Sequence, residues 1–256
     1  MTDFVVAELY QGYPGVAFGG YVAGMLAGHA TAPTVRVDFR ARTPVGEDLR
    51  LVGEPDGGAR LTDRAGTDLA TATPAPDAAL TAPDAPTWDE AAAAAEAYLA
   101  APSLLAEEDV DCFGCGKRAP GSGLLQHCMP VPGRDLVATA WVPHASFAGT
   151  DGVFRPDLVW AALDCPTAAA GILLGGLRKG AVTAALTGRV LRPVTAGEPH
   201  ITYAWLLHES GRKHTMGVAV ATAKGEVCAL GEALWIDPRQ AQNAPSGDGG
   251  NSPSGA

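Results

Sequence analysis

Arg40-Ala41-Arg42-Thr43-Pro44-Val45-Gly46-Glu47 has a counterpart 149 residues on, in Arg189-Val190-Leu191-Arg192-Pro193-Val194-Thr195-Ala196-Gly197-Glu198. Both stretches run from cations through Pro-Val to Gly-Glu. Each follows an apolar segment of helical character and precedes strand-like ones. A second echo joins Arg64-Ala65-Gly66-Thr67-Asp68-Leu69-Ala70 to Ala223-Lys224-Gly225-Glu226-Val227-Cys228-Ala229, now 159 residues apart. The change in separation predicts a longer excursion in the second copy, at about 199–216. A shared order of helix, strand, Pro-turn and hairpin predicts a duplicated α+β unit. Its halves should pack about a pseudo-twofold axis, mimicking a homodimer within one chain.

Working outward from the first copy, Val35, Val37, Phe39 and Ala41 alternate with Arg36, Asp38, Arg40 and Arg42, the pattern of a half-buried strand over Thr34–Arg42. Strands are also predicted over Glu47–Glu54, Arg60–Asp63 and Thr67–Thr73, with an apolar, glycine-containing helix before them at Gly19–Ala30. Around the second copy, strands are predicted over Leu136–Val142, Ala181–Leu191, His200–His208, Thr215–Ala223 and Glu226–Ile236. The second core helix spans Leu158–Leu174. Pro156 is suited to its first turn, and Pro166 is expected to kink it by removing a donor and crowding the preceding turn. Between the halves, prolines 74, 76, 83 and 86 mark a linker, and Asp89–Ala101 is a bridging helix capped by Thr87 or Asp89 and ended by Pro102. The expected organisation is an N-terminal unit at 1–80, a linker with bridging helix at 81–108, a C-terminal unit at 109–238 and a disordered Gly/Pro/Ser-rich tail at 239–256.

Hydrophobic residues make up 47% of the 256 and charged residues 18%, enough apolar content for a core, and the net charge is −10. That balance argues against a broad nucleic-acid surface, which needs clustered cations. No positive segment followed by an apolar run opens the chain, and the most apolar stretch, near Leu158–Leu177, is interrupted by Asp164 and Pro166. No membrane span is expected, and the chain reads as cytoplasmic. Its five cysteines are expected to be reduced.

Cys112-Phe113-Gly114-Cys115-Gly116, the following Gly123-Leu124, the helix segment Trp160-Ala161-Ala162-Leu163-Asp164-Cys165-Pro166 and the pair Gly19-Gly20 together resemble the hotdog-fold thioesterase family, here in a tandem, double-hotdog form. The resemblance covers about 10–75 and 108–237. It implies two long helices, each wrapped by an antiparallel sheet. It also implies a site in which a backbone amide at a helix start polarises a thioester carbonyl while a carboxylate across the interface activates water or attacks directly. The family commonly has a histidine before the paired glycines, where this chain has Phe18.

Gly19-Gly20 lie in the first half without a carboxylate, since eight residues on stands Gly28. Asp164 lies in the second half without glycines, since eight residues back stands Pro156, which has no amide hydrogen. The complementary loss predicts one composite site: Gly19 and Gly20 supply the amide end and Asp164 the carboxylate, with a pKa raised by burial. Tyr21, Met25, Trp160 and Leu163 are expected to line an acyl groove. Arg189 and Arg192, with Arg178-Lys179 and Arg212-Lys213-His214, are candidates for coenzyme A phosphates, and Arg40 and Arg42 are their first-half counterpart. Against this stands a plainer account, with the glycines allowing close helix packing and Asp164 bonded to local backbone at the kink.

Cys112 and Cys115 invite a zinc reading with His127 and Cys128. A tight glycine-rich turn is preferred, because neighbouring residues in a strand point to opposite faces; no metal is expected. Cys165 reads as a small core residue, and His144 with Ser146 and Asp151 gives no triad spacing. The leading function is hydrolysis of an acyl-CoA or acyl-carrier-protein thioester, a small-molecule substrate that carries coenzyme A with it and needs no separate cofactor. The alternatives are a non-catalytic acyl-thioester or lipid-binding protein and, behind it, a dehydratase, which lacks a helical histidine beside Asp164. A homodimer of the whole chain is left open.

Overall fold

Alternating and β-branched segments pair into one sheet in the computed structural model, which describes residues 2–101 and 111–239. In the first half these are β1 (Thr2–Val5), β2 (Val35–Phe39), β3 (Asp48–Gly53), β4 (Ala59–Asp63) and β5 (Asp68–Pro74), around helix α1 (Gly19–Ala27). Helix α2 (Trp88–Ala100) follows. The second half contains β6 (Met129–Pro130), β7 (Val137–Trp141), helices α3 (Pro156–Ala161) and α4 (Cys165–Leu174), and then β8 (Val182–Val190), β9 (His200–Ser210), β10 (Lys213–Thr222) and β11 (Val227–Ile236). Among the described residues the sheet has eleven strands in the order β1-β3-β4-β5-β2-β8-β11-β10-β9-β7-β6, every pair antiparallel.

The duplication is visible in that order. Strands 1-3-4-5-2 of the first half are matched by 7-9-10-11-8 of the second, with β2 and β8 joined at the centre. In the β2–β8 register Val37 faces Leu186, a partner 149 positions away, the separation of the first echo. The pseudo-twofold axis therefore passes through this pair, and the fold is a tandem hotdog. The extra residues of the second half lengthen its middle hairpin: β9 and β10 have 11 and 10 residues against 6 and 5 in β3 and β4. The second echo marks matched turns, with Gly66 and Gly225 at φ 87° and 84°, a region that L side chains disfavour.

Two strands escaped the sequence reading. β1 was too short to show a period, and β6 is two residues at the sheet margin. The first-half helix ends at Ala27 rather than Ala30, with Gly28 as C-cap. Helix α2 starts as expected, with Thr87 and Glu90 forming a reciprocal capping box. It does not bridge in isolation: Ala91, Ala94 and Tyr98 are buried, and the two alanines join a second core with Leu136, Ala138, Ile201 and Tyr203. Pro102 and the tail from 240 onward lie outside the described residues.

Helices α1 and α3 cross antiparallel, and glycines set their separation. A Cβ on Gly20 would stand 2.7 Å from the carbonyl oxygen of Ala161, and one on Gly24 would overlap the carbonyl of Asp157. Pro156–Leu174 is apolar and long enough to cross a membrane by length and composition. In this fold the stretch is divided into α3 and α4 and is mostly buried in the core.

Candidate functional site

The site begins with a helix break. Pro166 has no amide hydrogen for the carbonyl of Ala162, and its ring crowds that turn, so α3 ends at Ala161 and α4 begins at Cys165. In the gap, Leu163 and Asp164 turn more tightly, their amides bonding to Trp160 and Ala161. Asp164 becomes the residue before α4 without capping it. Its side chain is turned across the interface to α1.

There the Gly20 amide donates to Asp164 Oδ2 at 2.8 Å, and the Thr183 hydroxyl on β8 donates to Oδ1 at 2.9 Å. The Asp164 carbonyl is fixed as well. Thr167 Oγ1 donates to it at 2.6 Å and accepts from the Trp235 indole at 2.8 Å. Asp164 is only 3% exposed. Burial pushes its pKa up to about 6, opposed by the Thr183 hydrogen bond; nearby Cys112 adds to the rise and the Gly20 amide opposes it. A carboxylate so placed is half-charged near pH 6, and at neutrality it is mostly ionised and can take up a proton.

Gly20 of the first half and Asp164 of the second thus come into direct contact. The Gly20 amide is donated to the carboxylate itself. The first turn of a helix has further amides without helical acceptors, here those of Gly19 and Tyr21. A Cβ on Gly19 would stand 3.0 Å from Asp164 Oδ2 and 3.6 Å from the Phe39 ring, so a side chain there would crowd that oxygen.

Aligning the caps Phe18 and Arg155 shows what occupies the other pseudo-symmetric position. Ala27 matches Asp164, one residue short of the Gly28 reached by counting. Pro156 and Asp157 match Gly19 and Gly20. A pocket of about 180 Å³ lies there, bordered by Gly24, Ala27, Pro156, Trp160 and Val190 among others, and it offers no carboxylate at the Asp164 position.

The residues expected to form an acyl groove are not gathered into one. Trp160 borders that second pocket and packs against Gly188. Leu163 is fully buried in the core, where it approaches Gly231. Tyr21 stacks on Tyr10 at 3.9 Å, and Met25 is half-buried against the core. Arg189 and Arg192 sit toward the far end of β8, six or more residues from Thr183 and so about 20 Å away along the strand. Arg192 pairs there with Glu226 at 3.3 Å. The strand register favours their counterparts: β2 pairs Asp38 with Ala185, so exposed Arg40, two residues on, lies toward the Thr183 end of β8. Arg178 and Arg212 border a separate open bowl of about 720 Å³ beyond the C-terminus of α4, where both bond to Asp237.

His144 and Ser146 bond locally at 2.9 Å, and Asp151 accepts from the Val153 amide, so these residues build turns and no triad. Thr183 is the site residue that sequence reasoning missed. It is an ordinary strand threonine, and only the packing of β8 under the helix break brings it to Asp164.

No family model matches the chain, and no curated protein matches it in sequence. Solved structures match its fold. A TesB protein from Mycobacterium avium subspecies paratuberculosis aligns with a TM-score of 0.60 over 93% of each chain at 12% identity. A candidate thioesterase from Novosphingobium aromaticivorans gives 0.56 over 93% of this chain and 95% of its own, at 15% identity. A candidate thioesterase II from Thermobifida fusca gives 0.55 over 93% and 92%, again at 15% identity. At these identities the likeness is one of fold: the chain shares the architecture of these three structures over nearly its whole length.

Proposed function

We propose that this protein hydrolyses an acyl thioester at a single site, with Asp164 as the reacting carboxylate. The observation that carries the reading is the buried 2.8 Å bond between the Gly20 amide of one half and the Asp164 carboxylate of the other. In this reading the thioester carbonyl enters over Gly19, and its oxygen takes an amide of the α1 first turn as negative charge develops on it. Asp164 removes a proton from water as that water attacks the carbonyl carbon. The tetrahedral intermediate then expels the thiolate, which leaves as a thiol after protonation. Burial raises the proton affinity of Asp164 enough to make it an effective base near neutral pH. The acyl chain and its carrier, coenzyme A or a carrier protein, are left to the assay.

The test is a panel of acyl-CoA and acyl-carrier thioesters assayed with the wild type and Asp164→Ala. The expected result is hydrolysis of at least one class by the wild type and its loss in the variant. Equal rates in a folded Asp164→Ala would overturn the role of Asp164. Binding of acyl thioesters without turnover would favour the non-catalytic alternative, a reading that the near-complete burial of Asp164 supports.

Two further outcomes follow from the geometry. Thr183→Val keeps the shape but removes a hydrogen bond that holds the Asp164 pKa down. The acidic limb of kcat/KM should therefore move to higher pH, and an unmoved limb would mean that another group sets it. Arg40 and Arg42 are exposed and follow the end of β2 that pairs toward Thr183 on β8. Replacing both with alanine should raise KM for a coenzyme A thioester several-fold, about 1 kcal/mol of binding, with kcat little changed. The same change at Arg189 and Arg192 should have a smaller effect. The reverse order would place the phosphates at the other end of the strand.

A further inference from the structure

Three thiols from two distant stretches of chain meet beside Asp164. Cys112 and Cys115 come from the turn that opens the second half, and Cys165 is the first residue of α4. Their Sγ atoms all lie within 4.8 Å of one another, and Cys112 and Cys165 are 3.8 Å apart. The sequence reading had paired the first two with His127 and Cys128 and preferred a plain turn. Cys128 is not part of the cluster, and His127 is turned to the Gly116 carbonyl, 3.3 Å from its Nε2.

We propose that Cys112, Cys115 and Cys165 form a binding site for a thiophilic divalent cation of the zinc class, three thiolates with a non-protein ligand completing the tetrahedron. Zinc–sulfur bonds of about 2.3 Å in a tetrahedron put neighbouring sulfurs about 3.8 Å apart, the separation found between Cys112 and Cys165. The turn is held in shape before any ligand arrives. The Phe113 amide donates to Gln11, Gly116 to Cys112, Leu124 to Phe113 and Gln126 to Gly114, all within 2.9 Å. Phe113 itself is fully buried, packed edge-on against Tyr10 and Phe147. Gly114 is required by the cluster, since a Cβ there would run into Cys165 Sγ and stand 2.6 Å from the Phe18 ring. Glycine between the two cysteines thus lets the third thiol approach.

Cys112 and Cys165 are in direct sulfur–sulfur contact at 3.8 Å, and a divalent cation at the cluster would be bound by the thiolate forms of all three. Cys112 is buried, and Cys115 and Cys165 are of intermediate exposure as residues. The buried carboxamide of Gln126, whose backbone is bonded to Gly114, has no hydrogen-bond partner among the described atoms, which marks this loop as polar beyond its packing needs.

The site is independent of the thioester reading, because it uses no property of Asp164, and metal retention is measured without activity. The full chain, purified under reducing conditions and loaded with zinc, should keep about one equivalent after desalting. Loading with cobalt instead should produce sulfur-to-metal charge-transfer absorption. Cys112→Ser and Cys165→Ser should lose both signals, while Cys128→Ser, a buried thiol outside the cluster, keeps them. Variants that fail to fold are bypassed on the wild type: zinc should slow alkylation of Cys115 and Cys165, mapped by mass, and a chelator should restore it. A wild type that retains no metal after loading, unchanged alkylation with zinc, or full retention in folded Cys165→Ser would overturn the proposal.

Discussion

Asp164→Asn is expected to abolish thioester hydrolysis while leaving the protein no less stable at pH 8, and more stable if burial outweighs the lost charge. The asparagine oxygen can accept from Gly20, and its amide can donate to Thr183, whose hydroxyl is free to turn. The variant therefore resembles the neutral carboxyl. In the wild type the folded pKa is about 6 against a reference of 3.8. The folded state holds its proton more tightly than the unfolded one, so the contribution of Asp164 to stability is fully present below about pH 4 and is lost as pH rises through 6. Above that, burying the charge costs up to roughly 3 kcal/mol, which the asparagine variant does not incur. Losing a general base lowers the rate by about 100-fold or more. Chemical denaturation at pH 4 and 8 beside the hydrolysis assay checks both parts. A variant that loses stability at pH 8 yet keeps its rate would make Asp164 a structural anchor at the kink. For the wild type itself, kcat/KM should rise with pH through about 6 and then level.

Gly24→Ala is the second large effect. The added methyl group would occupy the same space as the Asp157 backbone carbonyl, and no rotamer can relieve a clash made by Cβ. The helices must separate, opening the close contact between α1 and α3. Overpacking of this kind costs about 3 kcal/mol, against up to 1 kcal/mol gained in helix propensity. The net loss lowers Tm by several degrees, at about 2–4 °C per kcal/mol for a chain of this size. Gly28→Ala is the internal control. Its φ and ψ of −65° and −15° suit alanine, and its Cβ would stay 3.5 Å from the nearest backbone atoms. It should be neutral or mildly stabilising. Equal Tm values for the two variants would mean that α1 and α3 tolerate a wider separation.

Gly24 also shows why a sequence echo is easier to read than a packing contact. The echo at Arg40 and Arg189 records the turn and strand order of each half, which are local properties, and local properties are written in neighbouring residues. Helix α1 is harder. Its glycines lower helix propensity, and nothing near them in the chain names Asp157 or Ala161 as the reason for having no side chain. The same holds for β1, whose four residues are a strand only because β3 lies beside them.

The site divides in the same way. The break at Pro166 follows from proline's missing donor, and with it the exposure of Asp164 to a neighbour. That one half keeps the glycines and the other the carboxylate is also written in the chain. Composition and order together determined a duplicated α+β body with one unmatched pair of functional groups. Only the tertiary structure decided that the Gly20 amide is given to Asp164, that Thr183 holds its other oxygen, that β2 runs toward the Thr183 end of β8, and that Cys165 joins Cys112 and Cys115. Each of these is a contact between residues far apart in the chain. Their distance is set by strand register and by the antiparallel crossing of two helices, and neither leaves a local periodicity to read.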